Sequence, residues 1–231
     1  METTVRPPSP YDLEGKMHKF YFNDPDTTVL TSPSGRYQII KKVATKEDVR
    51  HVRMRSLMAG NTEYAGFKAG TYTVLKDTQR GDIVMSDTNM EISTNSQFMR
   101  NANGRVLIGG FGLGVTLMYL QEHNTKVEEI IVVEKSKEII DWVVPMLPID
   151  KDLVRVIHGD IFEYVPEGKY DTIWFDIWNA TSPDNHPEMK KLHRKFARRL
   201  NRDNPNAFMT SWRKEEVYKM AAAERNYGYY Y

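Results

Sequence analysis

The sequence contains no cysteine, which excludes a disulfide framework, thiolate-bound zinc, iron–sulfur clusters and a cysteine nucleophile. Long apolar runs are missing too. The longest purely aliphatic stretch is Ile130 to Val133, far short of the roughly 20 residues that span a bilayer. The opening METTVRPPSPYDLEGK holds no apolar core of signal-peptide length, so the expectation is a cytoplasmic protein without a membrane partner. An excess of one charge is also absent. Lysine and arginine total 32 against 31 acids, a formal net charge of +1. That balance gives no global attraction to nucleic acid or anionic lipid, and any such partner needs a local patch. What remains is 231 residues, 40% hydrophobic and 27% charged, the composition of one ordinary globular domain with a modest extension.

Residues 1–34 hold Pro7, Pro8, Pro10, Pro25 and Pro33, which interrupt helix and sheet alike and predict a loose arm. Residues 35–100 read as a small β-rich cap with a linker. They carry a strand over 36–44, a helix over 46–58 opened by Thr45 and Asp48, and a hairpin of strands at 71–76 and 82–85. After Asn103-Gly104 strands and helices alternate with short connections. Apolar strands at 105–109, 129–134, 153–158, 171–177 and 207–212 are separated by helices at 113–122, 136–146 and 187–200, and a last helix covers 214–224. Continuous runs such as Ile130-Ile131-Val132-Val133 mark parallel strands covered on both faces. The pattern predicts a doubly wound, mostly parallel α/β sheet over 101–231, with ligands bound beyond the carboxyl ends of the strands.

The strongest local signal is Val106-Leu107-Ile108-Gly109-Gly110-Phe111-Gly112-Leu113-Gly114, a strand running through a glycine turn into an apolar helix. Such glycines let the backbone approach a ligand, and the helix N-terminus offers free N–H groups; close strand–helix packing alone would use the same turn. A dinucleotide fingerprint requires glycine or alanine at the sixth position from Gly110, which is Val115, so NAD is disfavoured. No Gly-Lys-Ser/Thr follows, so a Walker phosphate loop is excluded. Three carboxylates close the following strands. Glu134 can accept ribose hydroxyls or stand as a surface acid. Asp160, in His158-Gly159-Asp160-Ile161-Phe162, can take an adenine amino hydrogen, with Ile161 against the ring, or cap a short helix. Asp176 ends Trp174-Phe175-Asp176-Ile177-Trp178, a very apolar setting for a charge, which favours a site role over a structural ion pair.

These four strand ends together resemble the class I S-adenosylmethionine-dependent methyltransferases, most closely their spermidine-synthase-like branch, over residues 85 to 212. The resemblance is carried by Gly109-Gly110-Phe111-Gly112-Leu113-Gly114, Val132-Val133-Glu134, His158-Gly159-Asp160 and Tyr170-Asp171-Thr172-Ile173-Trp174-Phe175-Asp176. It implies a Rossmann-like fold with strand order 3-2-1-4-5, and S-adenosyl-L-methionine as cofactor. Gly109, Gly110, Phe111, Gly112 and Gly114 would hold the methionine part, Glu134 the ribose, Asp160 and Ile161 the adenine, and Asp176 would face the reacting sulfonium and position the acceptor as the catalytic residue. The segment 82–98 resembles the hairpin and linker that precede the cofactor domain in polyamine synthases.

Departures from that branch redirect the reading. Polyamine synthases carry a second aspartate where this chain has Asn179, and an acid in the glycine loop where it has Leu113. An amide cannot act as general base, so methyl transfer is favoured over aminopropyl transfer from decarboxylated S-adenosylmethionine. An Asp/Asn-Pro-Pro-aromatic motif is absent after the fourth strand, and the expectation is that the family's closing β-hairpin is shortened or missing. Trp178 and Asn179 are candidates for contacting a small-molecule acceptor. A metal site is not expected; His158, His186 and His193 read as surface or capping histidines. The helix at 187–202 carries Lys190, Lys191, Arg194, Lys195, Arg198, Arg199 and Arg202, a solvated face or a nucleic-acid contact. The tyrosines at 227 and 229–231 would close over the sheet or support a homodimer. A cofactor-binding protein without catalysis is the remaining alternative.

Overall fold

A computed structural model describes residues 9–58 and 66–227. The prolines at 7 and 8 and the tyrosines at 229–231, singled out above, lie outside the described residues. The chain divides into two compact units: Met1–Arg100 with Val115–His123, and Asn101–Gly114 with Asn124–Tyr231. The division assigns the helix after the glycine loop to the N-terminal unit, whereas the sequence pattern groups it with 101–231.

The N-terminal unit is built on an antiparallel sheet of β1 (Val29–Thr31), β2 (Tyr37–Ala44), β3 (Gly70–Asp77) and β4 (Ile83–Ser86), in that order. Tyr37, Ile39, Tyr72, Val74 and Leu75 are buried on these strands. Part of the segment expected as a loose arm is ordered. Pro10–Leu13 forms a 3-10 turn and α1 spans His18–Tyr21, with Leu13, Met17 and Tyr21 buried. The physical reason lies in Asp87, whose carboxylate accepts the Met17 N–H at 2.9 Å and the Thr73 N–H at 2.6 Å. Helix α2 covers Lys46–Met58, begun by reciprocal Thr45–Asp48 bonds. The linker expected before the second unit is instead the helix α3, Asn89–Asn101. Its residues are weak helix formers, but it buries Ile92, Phe98 and Met99, and burial outweighs propensity.

The second unit is an α/β unit with a five-stranded parallel sheet of Rossmann-like type. Its strands are β5 (Gly104–Gly109), β6 (Val127–Glu134), β7 (Val154–His158), β8 (Thr172–Phe175) and β9 (Phe208–Ser211), ordered β7-β6-β5-β8-β9. Val106, Leu107, Ile130, Ile131, Ile173 and Phe175 have no exposed surface, which explains why the central strands read as unbroken apolar runs. Among the described residues β9 is the last strand. Helix α4 (Val115–His123) follows the glycine loop, α5 (Lys137–Val143) lies on β6 and β7, and α6 (Asn185–Phe196) packs on β9 and on α7 (Lys214–Tyr227). Register fixes the functional edge. Gly109 is level with Val133 on one side and Phe175 on the other, and Glu134 is level with His158. The residues just beyond these four positions therefore share one rim.

Candidate functional site

The rim is organised around the glycine loop. Gly110 donates its N–H to the Val133 carbonyl at 2.9 Å, and the Gly109 carbonyl accepts the Asp176 N–H at 2.8 Å, so the loop is stitched to β6 on one side and to the end of β8 on the other. Gly110 has φ of 99°, and a Cβ there would collide with the Asp176 carbonyl oxygen. Only glycine meets both demands. At Gly109 a Cβ would lie 3.1 Å from Ile161 and 3.2 Å from Phe175, so Ile161, itself buried, seats directly against the end of β5. Phe111 is buried, and Gly112 and Gly114 complete the turn at φ of 55° and 70°.

Glu134 joins this loop through its side chain. Its Oε2 accepts the Phe111 N–H at 2.9 Å and its Oε1 accepts the Ser136 N–H at 2.6 Å. Burial raises its pKa, while the Ser136 and Phe111 N–H groups work to lower it. The Lys135 N–H also bonds this carboxylate, so three of its about four acceptor positions are taken and one is left for a further donor. This is a carboxylate held at the lip of a glycine loop and able to receive a hydroxyl group.

Asp160 is already engaged. Lys135 pairs with it at 2.8 Å and its Oδ1 accepts the Phe162 N–H at 2.9 Å. The Lys135 bond, followed by that N–H, holds its pKa below the usual carboxylate range. The Asp160 carbonyl accepts the Glu163 and Tyr164 N–H groups at 2.9 and 2.8 Å. The side chain thus caps a turn at 161–163 rather than the short helix weighed for it, and a ligand would share this carboxylate with Lys135.

Asp176 behaves differently. Its Oδ2 is buried and has no hydrogen-bond partner among the described residues. Burial pushes its pKa up to about 7, against the lowering influence of the Trp174 indole. A buried carboxyl without a full set of donors is costly unless neutral or completed by a ligand, and titration near neutrality is characteristic of functional positions.

The remaining candidates separate. Trp178 is buried and its indole N–H donates to Glu188 on α6 at 2.7 Å, while Asn179 is exposed beside it. His193 departs from the surface reading. It is bonded to Ser211 at 2.8 Å, packs 5.8 Å from the Phe175 ring, and burial, aided by Lys214, lowers its pKa to about 4. It is a half-buried, neutral histidine, placed beside the apolar face that α6 turns inward with Met189, Leu192 and Phe196. Two residues outside the sequence reading belong to the rim, Lys135 on Asp160 and Glu188 on Trp178. Lys135, directly after Glu134, had a positional signal; Glu188 had none, since its partner is ten residues away in sequence. Among the described residues no group of three or more acids and histidines could hold a metal ion, and no helix is long and apolar enough to cross a membrane.

No sequence-family model and no curated protein matches this chain. Solved structures do resemble part of it. A spermidine synthase from Thermotoga maritima is 17% identical over 57% of this chain and 50% of its own, with a TM-score of 0.41. An amino pentose methyltransferase from Micromonospora echinaspora, solved with SAM bound, is 18% identical over 46% and 43%, with a TM-score of 0.34. The chain spans half or less of the length of these two proteins.

Proposed function

We propose that residues 101–231 form an S-adenosyl-L-methionine-binding domain and that the chain is a methyltransferase. The observation that carries the reading is the Glu134 carboxylate bonded at 2.9 Å to the Phe111 N–H of the glycine loop. It sets a hydroxyl-accepting group against the glycine turn at the end of β5. The residues fit the cofactor. Gly110 lets the loop close onto the end of β8, Glu134 keeps acceptor capacity for a ribose hydroxyl beside its backbone donors, Ile161 would lie toward the adenine, and the Asp176 Oδ2, without a hydrogen-bond partner among the described residues, can receive a donor from the acceptor or the cofactor. When bound, the cofactor supplies a methyl group activated on a sulfonium. The protein's own contribution is alignment and exclusion of water around a neutral or near-neutral Asp176.

Calorimetry with S-adenosylmethionine, its decarboxylated form, S-adenosylhomocysteine and NAD in parallel tests this. Binding of the first and third, weakened at least about tenfold in Glu134→Ala, is the expected result. Tighter binding of the decarboxylated form would turn the assignment to aminopropyl transfer, and binding of none of the four would overturn it.

A further inference from the structure

Helix α6 and the turn after it concentrate charge that the chain as a whole does not have. Residues 185–202 hold seven lysines and arginines and one acid, Glu188, whereas the entire protein carries a net charge of +1. The arrangement is one-sided. Met189, Leu192 and Phe196 have no exposed surface, and Lys190, Lys191, Arg194 and Arg198 are exposed on the opposite arc. Lys190 and Arg194 are one helical turn apart, a rise of about 6 Å, and Arg198 follows in the turn after the helix. None of the four pairs with a described acid, and Glu188 is taken by the Trp178 indole at 2.7 Å. The same helix borders the candidate site. Lys195 donates to the Phe162 carbonyl and the Lys191 ammonium lies 5.2 Å from the Phe162 ring centroid, two residues beyond Asp160.

We infer that this face of α6 is a docking surface for a nucleic acid, held by its phosphodiester backbone alongside the candidate site. The charges lie in a row and do not converge, which suits a linear polyanion rather than a small one. Every large apolar side chain of the helix points inward, so the face lacks the residues an interfacial helix inserts into lipid. The inference stands apart from the cofactor assignment, because neither requires the other.

The test is fluorescence anisotropy with a labelled 20-nucleotide RNA and the same sequence as single-stranded DNA, at 50 and 200 mM KCl. Four phosphate contacts predict a roughly 50-fold loss of affinity between these salts for a single strand. Neutralising Lys190→Gln, Lys191→Gln, Arg194→Gln and Arg198→Gln together should weaken binding at 50 mM at least about tenfold and flatten the salt dependence, with an unchanged circular-dichroism melt. The same charge change on α2, as Lys46→Gln, Arg50→Gln, Arg53→Gln and Arg55→Gln, should change affinity by less than about threefold. RNA and DNA arms rank the two polymers. Absence of binding to both, an equal fall in the α2 variant, or tighter binding to phosphatidylserine vesicles or poly-glutamate overturns the inference. Calorimetry with S-adenosylmethionine on the same preparation reports separately on the proposed cofactor.

Discussion

The Glu134 carboxylate accepts the Phe111 backbone N–H at 2.9 Å, so an acid at the end of one strand fixes the glycine loop at the end of its neighbour. With its other oxygen on the Ser136 N–H, Glu134 is a structural tie and, in the proposed function, the group that would meet the ribose. Glu134→Ala should therefore lose stability as well as adenosyl affinity, by roughly 1–3 kcal/mol for donors left without partners. Urea denaturation measures the first effect and calorimetry the second. Full native stability in the alanine variant would show that the loop holds itself.

Asp176 makes a prediction about pH. Its folded pKa of about 7 lies above the ordinary unfolded value of about 3.9, so the folded state prefers the neutral acid. Its favourable contribution is complete below about pH 4 and is lost as pH rises through 7. Asp176→Asn, a permanently neutral mimic, should be more stable than wild type at pH 8 by on the order of 2–4 kcal/mol and close to it at pH 4. Chemical denaturation of both proteins across that range decides it, with equal curves counting against a buried titrating carboxyl.

Two glycines with similar backbone angles should respond differently to alanine. Gly110 has φ of 99° and its missing Cβ would meet the Asp176 carbonyl, whereas Gly35 has φ of 77° with nothing within 4 Å. Gly35→Ala should cost about 1 kcal/mol for the left-handed backbone alone. Gly110→Ala should cost roughly 3 kcal/mol or more, because strain and collision add. Thermal melts of the two variants compare them directly, and similar losses would remove the steric argument.

Asp87 anchors the N-terminal segment through the Met17 and Thr73 N–H groups. Asp87→Ala should destabilise by about 2–5 kcal/mol, since two buried donors lose their acceptor, and Asp87→Asn by less. Burial raises this carboxyl to about 6, so its favourable contribution drains away as pH rises from about 4 through 6, and that pH dependence should be missing from the asparagine variant. Amide hydrogen exchange at Met17 and Thr73 reads the anchor, and protection there unchanged in Asp87→Ala would contradict it.

Much of the second unit was legible because its signals are local. Continuous apolar runs mark β5, β6 and β8, and the glycine turn marks where a backbone must pass close to something. Helix α2 was legible at its start, because Thr45 and Asp48 cap it within three residues of sequence. The helix α3 was not, since its stability comes from burying Ile92, Phe98 and Met99 rather than from its asparagine- and serine-rich composition. His193 was misread for the same reason: an alternating basic and apolar sequence does not tell which way a histidine turns until the sheet beneath it is known.

The sequence by itself determined the alternation of strands and helices, the glycine turn, and the presence of an acid at three strand ends, because propensity and hydrophobic period act over a few residues. Only the tertiary structure decided what those acids do. Parallel register brings Glu134 to the Phe111 N–H, leaves Lys135 to hold Asp160, and sinks the Asp176 carboxyl beside Trp174 without a partner for Oδ2. A carboxylate's charge state and free acceptor capacity depend on neighbours distant in sequence, and those neighbours exist only once the strands are paired.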